Sequence, residues 1–330
     1  MPQVTVNHRQ IKKIADAVAA LPTGAPLNFY SFTDGSGKVF PASDMYPGLD
    51  AAQEDVVNFF FFAGWNEYGF WLRDTEGYVA PLYGTLNGKK NIKGSDLMWR
   101  LIKRAFDRDP RIFTPEQLFS MEHPAWIAIM SDDNGPVPQM ALRERFAMSL
   151  RYAAYFLGAK CNPLRLVEKA QEAKNPVRTF LSLIARVPGF AEDPLQKKSI
   201  LLAMALANRP EKFLTAPPSW KWPPIIDTHL QRVLLRLGLV TIPKDWKKEN
   251  IDRSYTSSAR EAEIRGACKN ALAEVIKHSG RSMAEVDVLF WMARKYCPEM
   301  QPPDCAQCKF ASVCAKRVEL FQPILETTAY

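Results

Sequence analysis

The chain has no uninterrupted apolar run that approaches the ~20 residues needed to cross a bilayer, and its richest stretch, Val56 to Gly64, falls far short. A membrane role is therefore not expected. The opening residues, MPQVTVNHRQIKKIADAVAAL, carry charges throughout and lack the apolar centre of a secretory signal, so a cytoplasmic protein is expected. Internal repeats and low-complexity segments are also missing. Cysteine is scarce, six in 330 residues, yet four of the six crowd into one short segment near the end of the chain.

What is present points to a folded, multi-domain protein. With 330 residues and 47% apolar composition the chain can bury a large core, and its length suggests two or three domains. The excess of 43 Lys and Arg over 35 Asp and Glu, a net +8, favours anionic partners such as nucleotides or nucleic acid. Charge alone serves solubility equally well.

Three regions are read from the patterning. Residues 1–135 are rich in aromatics, glycine and turn signals, and short apolar runs such as VVNFFFFAG and YGFWLRD read as strands or tight buried segments of a mixed α/β domain. A helix is predicted from Ser95 on the spacing of Leu97, Leu101, Ile102 and Ala105, and Thr114-Pro115 followed by Glu116 reads as a capped helix start. The loop SDDNGPVPQ, Ser131 to Gln139, is the expected boundary. Beyond it, residues 136–260 and 261–330 are almost wholly helical, with segments expected near 139–159, 161–173, 175–186, 195–208, 228–238, 257–279 and 282–296.

Four cysteines, Cys297, Cys305, Cys308 and Cys314, follow the pattern C-x7-C-x2-C-x5-C. In a chain without a secretory signal their thiols are expected to be reduced, so a metal site is a better reading than disulfides. Thiolates suit either zinc or an iron-sulfur cluster, and the spacing leaves both open. Cys161 and Cys268 fall on expected helices and read as core thiols.

The segment PPIIDTHLQRVLLRLG places Asp227 after an extended, proline-stiffened approach and before a helix whose Leu230, Val233, Leu234 and Leu237 form one stripe. Taken alone, an aspartate in that setting is a helix cap. The peptide N–H groups and the helix dipole also keep such a carboxylate ionised, which suits it to face a developing positive charge.

These residues carry a resemblance. The cysteine segment KYCPEMQPPDCAQCKFASVC resembles the iron-sulfur loop of the endonuclease III and adenine glycosylase group, although the first gap is one residue longer here. That resemblance implies a [4Fe-4S] cluster, with zinc as the alternative, and a structural role for it. Lys295, Lys309, Lys316 and Arg317 would then grip phosphate or simply be solvated. The string IIDTHLQRVLLRLG resembles the catalytic segment of helix-hairpin-helix glycosylases, which puts Asp227 at the catalytic position and His229 near substrate or phosphate.

In that superfamily a hairpin with two glycines binds a DNA phosphate through backbone N–H groups. The corresponding VPGFAEDPLQKKSILLAMAL keeps Pro188 and Gly189, replaces the second glycine with Ala191 and adds Glu192 and Asp193, which would repel a phosphate. Lys197 and Lys198 lie near the family's lysine, and Lys198 is a candidate substrate or phosphate contact.

A broader similarity is to the queuosine-salvage N-glycosylases. It rests on VVNFFFFAGW, GSDLMWRLIKRAFDRDPRIFTPE, QKKSILLAMALA and REAEIRG, and that group lacks the four-cysteine ending. By this resemblance Asn58, Phe59, Phe61 and Trp65 would stack on or read a base, with core packing as the plain alternative. Glu263 and Arg265 would form a buried pair.

The combined expectation is a mainly α protein, with a helix-hairpin-helix glycosylase-like core, a mixed α/β N-terminal region and a C-terminal iron-sulfur loop. It implies an N-glycosylase that cleaves the base–sugar bond of a modified purine of the 7-deazaguanine type, in a nucleotide or in DNA or RNA. A base-excision DNA glycosylase and a non-catalytic nucleotide or nucleic-acid sensor are the alternatives.

Overall fold

A computed structural model describes residues 3–22, 27–33, 39–137 and 140–330. The protein is mainly α-helical, and the strands among the described residues are only two to five residues long. In chain order the helices are α1 (His8–Ala20), α2 (Gln53–Trp65), α3 (Gly94–Arg108), α4 (Pro115–Ser120), α5 (His123–Ile129), α6 (Leu142–Gly158) and α7 (Pro163–Gln171). They continue with α8 (Pro176–Ile184), α9 (Lys197–Asn208), α10 (Thr228–Leu237), α11 (Lys247–Asp252), α12 (Ser258–Ser279) and α13 (Met283–Ala293). No helix among the described residues is long and apolar enough to cross a membrane.

The helix starts follow the local chemistry. Asn7, Thr114, Asn162, Asn175, Asp227, Ser257 and Ser282 each accept a hydrogen bond from a backbone N–H in the first turn of the following helix. Proline fills the first turn of α4, α7 and α8, where its missing N–H costs nothing.

Two compact units interleave along the chain: one is Met1–Pro26, Leu72–Ala80 and Lys221–Glu326, the other Leu27–Trp71, Pro81–Trp220 and Thr327–Tyr330. This partition differs from three successive segments. In the first unit Ile11, Ile14 and Val18 of α1 share one core with Leu230, Val233 and Leu234 of α10 and with Ile264, Cys268 and Leu272 of α12. Thr5–Val6 also pairs antiparallel with Val240–Thr241. Apolar faces met by chain segments over 200 residues apart are what remove α1 from the region that follows it in sequence.

The second unit is built around α2, in which every residue from Val56 to Trp65 is buried. VVNFFFFAG, read as a strand or a tight buried segment, is buried throughout but forms a helix rather than a strand. A helix enclosed on all sides shows no apolar stripe, so periodicity has nothing to report there. Phe62 stacks on Phe113 with ring centroids 4.4 Å apart, and Gly189, at φ +91°, lets its loop run against Trp65; a Cβ there would lie 2.7 Å from the Trp65 Cβ.

Residues 131–137 of the expected boundary are no linker, and Pro138 and Gln139 lie outside the described residues. Ser131–Asp132 pairs with Gly135–Pro136, Asp132 accepts from the Thr85 N–H at 2.8 Å, and Asp133 accepts from Asn87 and Gly88, all inside the second unit. Carboxylates bonded to backbone N–H groups tie it down.

Candidate active site and cysteine loop

Asp227 is the N-cap of α10, with one carboxylate oxygen accepting from the Leu230 N–H at 2.8 Å and the residue itself partly exposed. Its approach is anchored from beneath. Arg265, buried on α12, donates its Nε–H to the carbonyl of Ile226 at 3.0 Å, fixing the peptide just before the aspartate. Glu261, four residues earlier on the same helix and also buried, accepts from Gln231 Nε2 at 3.4 Å. The expected Glu263–Arg265 pair is not formed. Glu263 is exposed and accepts from the Val4 N–H at 2.7 Å, because positions 261 and 265, one helical turn apart, share the inner face while 263 points outward.

From Asp227 a row of polar side chains runs down α10. His229 Nδ1 lies 3.2 Å from Glu299 Oε1 and 3.3 Å from Arg232 Nη2. Burial holds the His229 imidazole below its ordinary range, against the Glu299 carboxylate and Asp227, which act to raise it. A neutral ring hydrogen-bonded to a carboxylate is a positioned group. Arg232 is fully buried, donating to Gln322 Oε1 at 2.8 Å and to Glu299 Oε1 at 3.4 Å. Arg236 donates to Cys297 Sγ at 3.2 Å, to the Pro298 carbonyl at 3.0 Å and to the Leu320 carbonyl at 2.7 Å. Glu299 and Gln322 were not singled out in the sequence; only the Arg-Val and second Arg after Asp-Thr-His hinted at this row.

The cysteine loop closes onto the far end of the same helix. Phe310 is buried against Phe290 of α13, with ring centroids 5.1 Å apart, and the Ala315 N–H donates to the Leu237 carbonyl. Gly238 caps α10 at φ +81°, and a Cβ there would meet the Ala315 Cβ at 2.6 Å, so helix and loop approach at glycine range. All six cysteines are free thiols.

Whether the four thiols suit a metal is a question of donors. Backbone or side-chain N–H groups point at three of the sulfurs: Arg236 at Cys297, Phe310 at Cys308 and Lys316 at Cys314. Burial raises the Cys308 and Cys314 thiols, and Cys297 and Cys305 raise them further by lying near enough to repel a second thiolate. Such N–H···S bonds are of the kind that support thiolate ligands. Among the described residues no three His, Cys, Asp or Glu side chains stand together as a group able to hold a metal ion. Lys295, Lys309 and Lys316 are exposed around the loop, whereas Arg317 is spent on the Thr241 hydroxyl at 3.1 Å and the Val240 carbonyl at 3.4 Å.

The remaining candidates lie in the second unit. Phe59 packs edge-on against Phe60 and Phe106, and Phe61 against Phe156, Phe180 and Phe190, both with zero exposure. These two rings are core, the plain reading of the pair. Asn58 and Trp65 differ. They are equally buried, yet neither amide atom of Asn58 nor Trp65 Nε1 has a hydrogen-bond partner among the described residues, and the same holds for the Tyr68 and Tyr152 hydroxyls. Buried polar groups left unpaired cost about 1–3 kcal/mol each, so a ligand that supplied partners would gain correspondingly.

Lys198 is 1% exposed; its ammonium donates to the carbonyls of Trp65 at 3.1 Å and Thr328 at 2.6 Å and lies 5.2 Å from the Tyr68 ring centre. Burial, reinforced by the neighbouring Lys197 charge, brings its pKa down to about 7. Lys197 pairs with Glu67 at 3.5 Å. In the hairpin before them, Glu192 Oε2 accepts from the Gly189 N–H at 2.8 Å, and buried Asp193 accepts from the N–H groups of Leu195 and Lys197. The chain's own carboxylates thus occupy the backbone donors that the hairpin presents.

No protein-family model matches the sequence, and no curated protein matches it.

Proposed function

We propose that the protein is a monofunctional N-glycosylase of helix-hairpin-helix type that hydrolyses the base–sugar bond of a modified purine of the 7-deazaguanine class, with Asp227 as the catalytic carboxylate. The observation that carries this reading is the partly exposed carboxylate at the head of α10, braced through Ile226 by Arg265. As the C1′–N bond lengthens, positive charge spreads over C1′ and the ring oxygen, and the ionised Asp227 stabilises it. Water then bonds to C1′ through oxygen, Asp227 orients it, and its proton leaves toward the departing base. Asn58 and Trp65, buried in the other unit with polar atoms that lack partners among the described residues, remain candidates for reading a base by the resemblance alone. Lys198, bonded to two carbonyls, is better placed to hold backbone than to form an imine.

Cys297, Cys305, Cys308 and Cys314 would hold a [4Fe-4S] cluster, zinc being the alternative, with Arg236 donating to the Cys297 sulfur. Four thiolates close a coordination shell, so the group would supply rigidity at the foot of α10. Base excision from DNA is the second reading, favoured by the net charge of +8. It is disfavoured by Glu192, which fills the Gly189 N–H that a DNA phosphate would need. Incubating the protein and Asp227→Asn with queuosine 5′-monophosphate and with modified DNA, then measuring free base by mass spectrometry, tests the assignment. Release from the nucleotide by the wild type alone is expected, and equal release by both proteins would refute it.

A further inference from the structure

The second unit contains a cleft of about 510 Å³ along one side of α3, and its charge is unbalanced. Arg100, Lys103, Arg104 and Arg108 fall at i, i+3, i+4 and i+8, which places four cations on one helical stripe opposite the buried Leu101, Ile102 and Ala105. Lys89, from the strand Lys89–Lys93, adds a fifth at the wall. Two of the lining carboxylates are paired, Asp44 with Arg100 at 2.9 Å and Asp107 with Lys103 at 2.5 Å, which leaves three of the five lining cations without an ion pair.

The three remaining cations are Arg104, Arg108 and Lys89. Arg104 is bonded only to neutral acceptors, the carbonyls of Ala128 and Ser131. Arg108 and Lys89 are exposed and form no ion pair among the described residues. Burial holds the Arg104 guanidinium below its ordinary range and the adjacent Arg108 charge lowers it further, against Asp133 and Asp132, whose carboxylates are themselves bonded to the N–H groups of Thr85, Asn87, Gly88 and Asn134. Lys103 is only 7% exposed, which sets this stripe apart from an ordinary solvated helix face. Apolar Leu86 and Ile92 complete the lining, and the volume lies within the roughly 300–1,000 Å³ typical of small-molecule sites.

We propose that this cleft binds a phosphate-bearing ligand of nucleotide size, with Arg104, Arg108 and Lys89 on the phosphate and Leu86 and Ile92 against the apolar body. Guanidinium groups match phosphate oxygens in pairs, and an anion between Arg104 and Arg108 removes their repulsion. The proposal stands apart from the role of Asp227, which belongs to the other unit.

Calorimetric titration of the full chain with guanosine 5′-monophosphate, inorganic phosphate and a single-stranded oligonucleotide tests it. Saturable binding of the mononucleotide is expected, with weaker binding of inorganic phosphate. Lys89→Glu combined with Arg108→Glu, both on exposed side chains, should weaken mononucleotide binding by at least about tenfold while leaving the melting temperature unchanged. Asp227→Asn should bind the mononucleotide as the wild type does, even where base release is lost. Equal affinity of the double variant and the wild type overturns the proposal. So do saturation by the oligonucleotide alone and abolition of mononucleotide binding by Asp227→Asn.

Discussion

The proposed function gives Asp227 a catalytic task beside its observed capping one, and two substitutions divide them. As N-cap it accepts from the Leu230 N–H at 2.8 Å, a bond that asparagine reproduces and alanine does not. Loss of an N-cap side chain costs about 1 kcal/mol, within a range of ~0.5–2, and loss of a charge from a helix N-terminus ~0.3–1 kcal/mol. Asp227→Asn should therefore cost ~0.5 kcal/mol and Asp227→Ala ~1.5 kcal/mol. At roughly 2–4 °C per kcal/mol for a unit of this size, calorimetry should show drops of about 1–2 °C and 3–6 °C. Base release should fall in both by roughly 10²–10³-fold, the usual effect of deleting one preorganised electrostatic group. Against a total stability of ~5–15 kcal/mol, the cost of the asparagine variant leaves nearly every molecule folded, so its lost activity reports chemistry. Equal melting of the two variants would refute the capping argument. Base release by Asp227→Asn within about tenfold of the wild type would refute the catalytic one.

Three further outcomes follow from the geometry. Lys198 is held near 7 when folded and returns to 10.5 when unfolded, so between those values the unfolded chain binds more protons and stability rises with pH; below about 7 both states are protonated and the contribution is flat. Urea unfolding at about pH 6 and pH 9 should show this gain, and Lys198→Met should lack it; parallel profiles would remove the lysine as the cause. Arg236→Ala strands three buried or half-buried acceptors, Cys297 Sγ and the carbonyls of Pro298 and Leu320, and should cost about 1–3 kcal/mol for each that water does not reach, while speeding thiol modification at the cysteine loop. Unchanged thiol reactivity would show that the loop does not depend on it. Metal analysis of anaerobically purified protein should find about four iron and four sulfide per chain, falling on replacement of Cys305 by serine; about one zinc instead would select the alternative, and neither metal would remove both.

Much of the helical plan was legible in the chain. Segments expected near 195–208, 228–238 and 257–279 are observed as Lys197–Asn208, Thr228–Leu237 and Ser258–Ser279, the latter two starting at side-chain caps, Asp227 and Ser257, that local chemistry dictates. The cap at Asp227 was legible for the same reason. Helix α2 was not, since a run buried on every side has no period to read.

What the residues settle unaided is therefore local: where a helix starts, which thiols share a loop, and which carboxylate stands before α10. The burial of Phe59 and Phe61, the isolation of the Asn58 amide and the inward turn of Glu261 in place of Glu263 were decided by packing partners far away in the chain. So were the division into two interleaved units and the cation stripe of α3, whose excess charge depends on which acids fold against it. Capping and periodicity act across three or four residues, whereas burial and charge balance depend on neighbours that only the folded chain supplies.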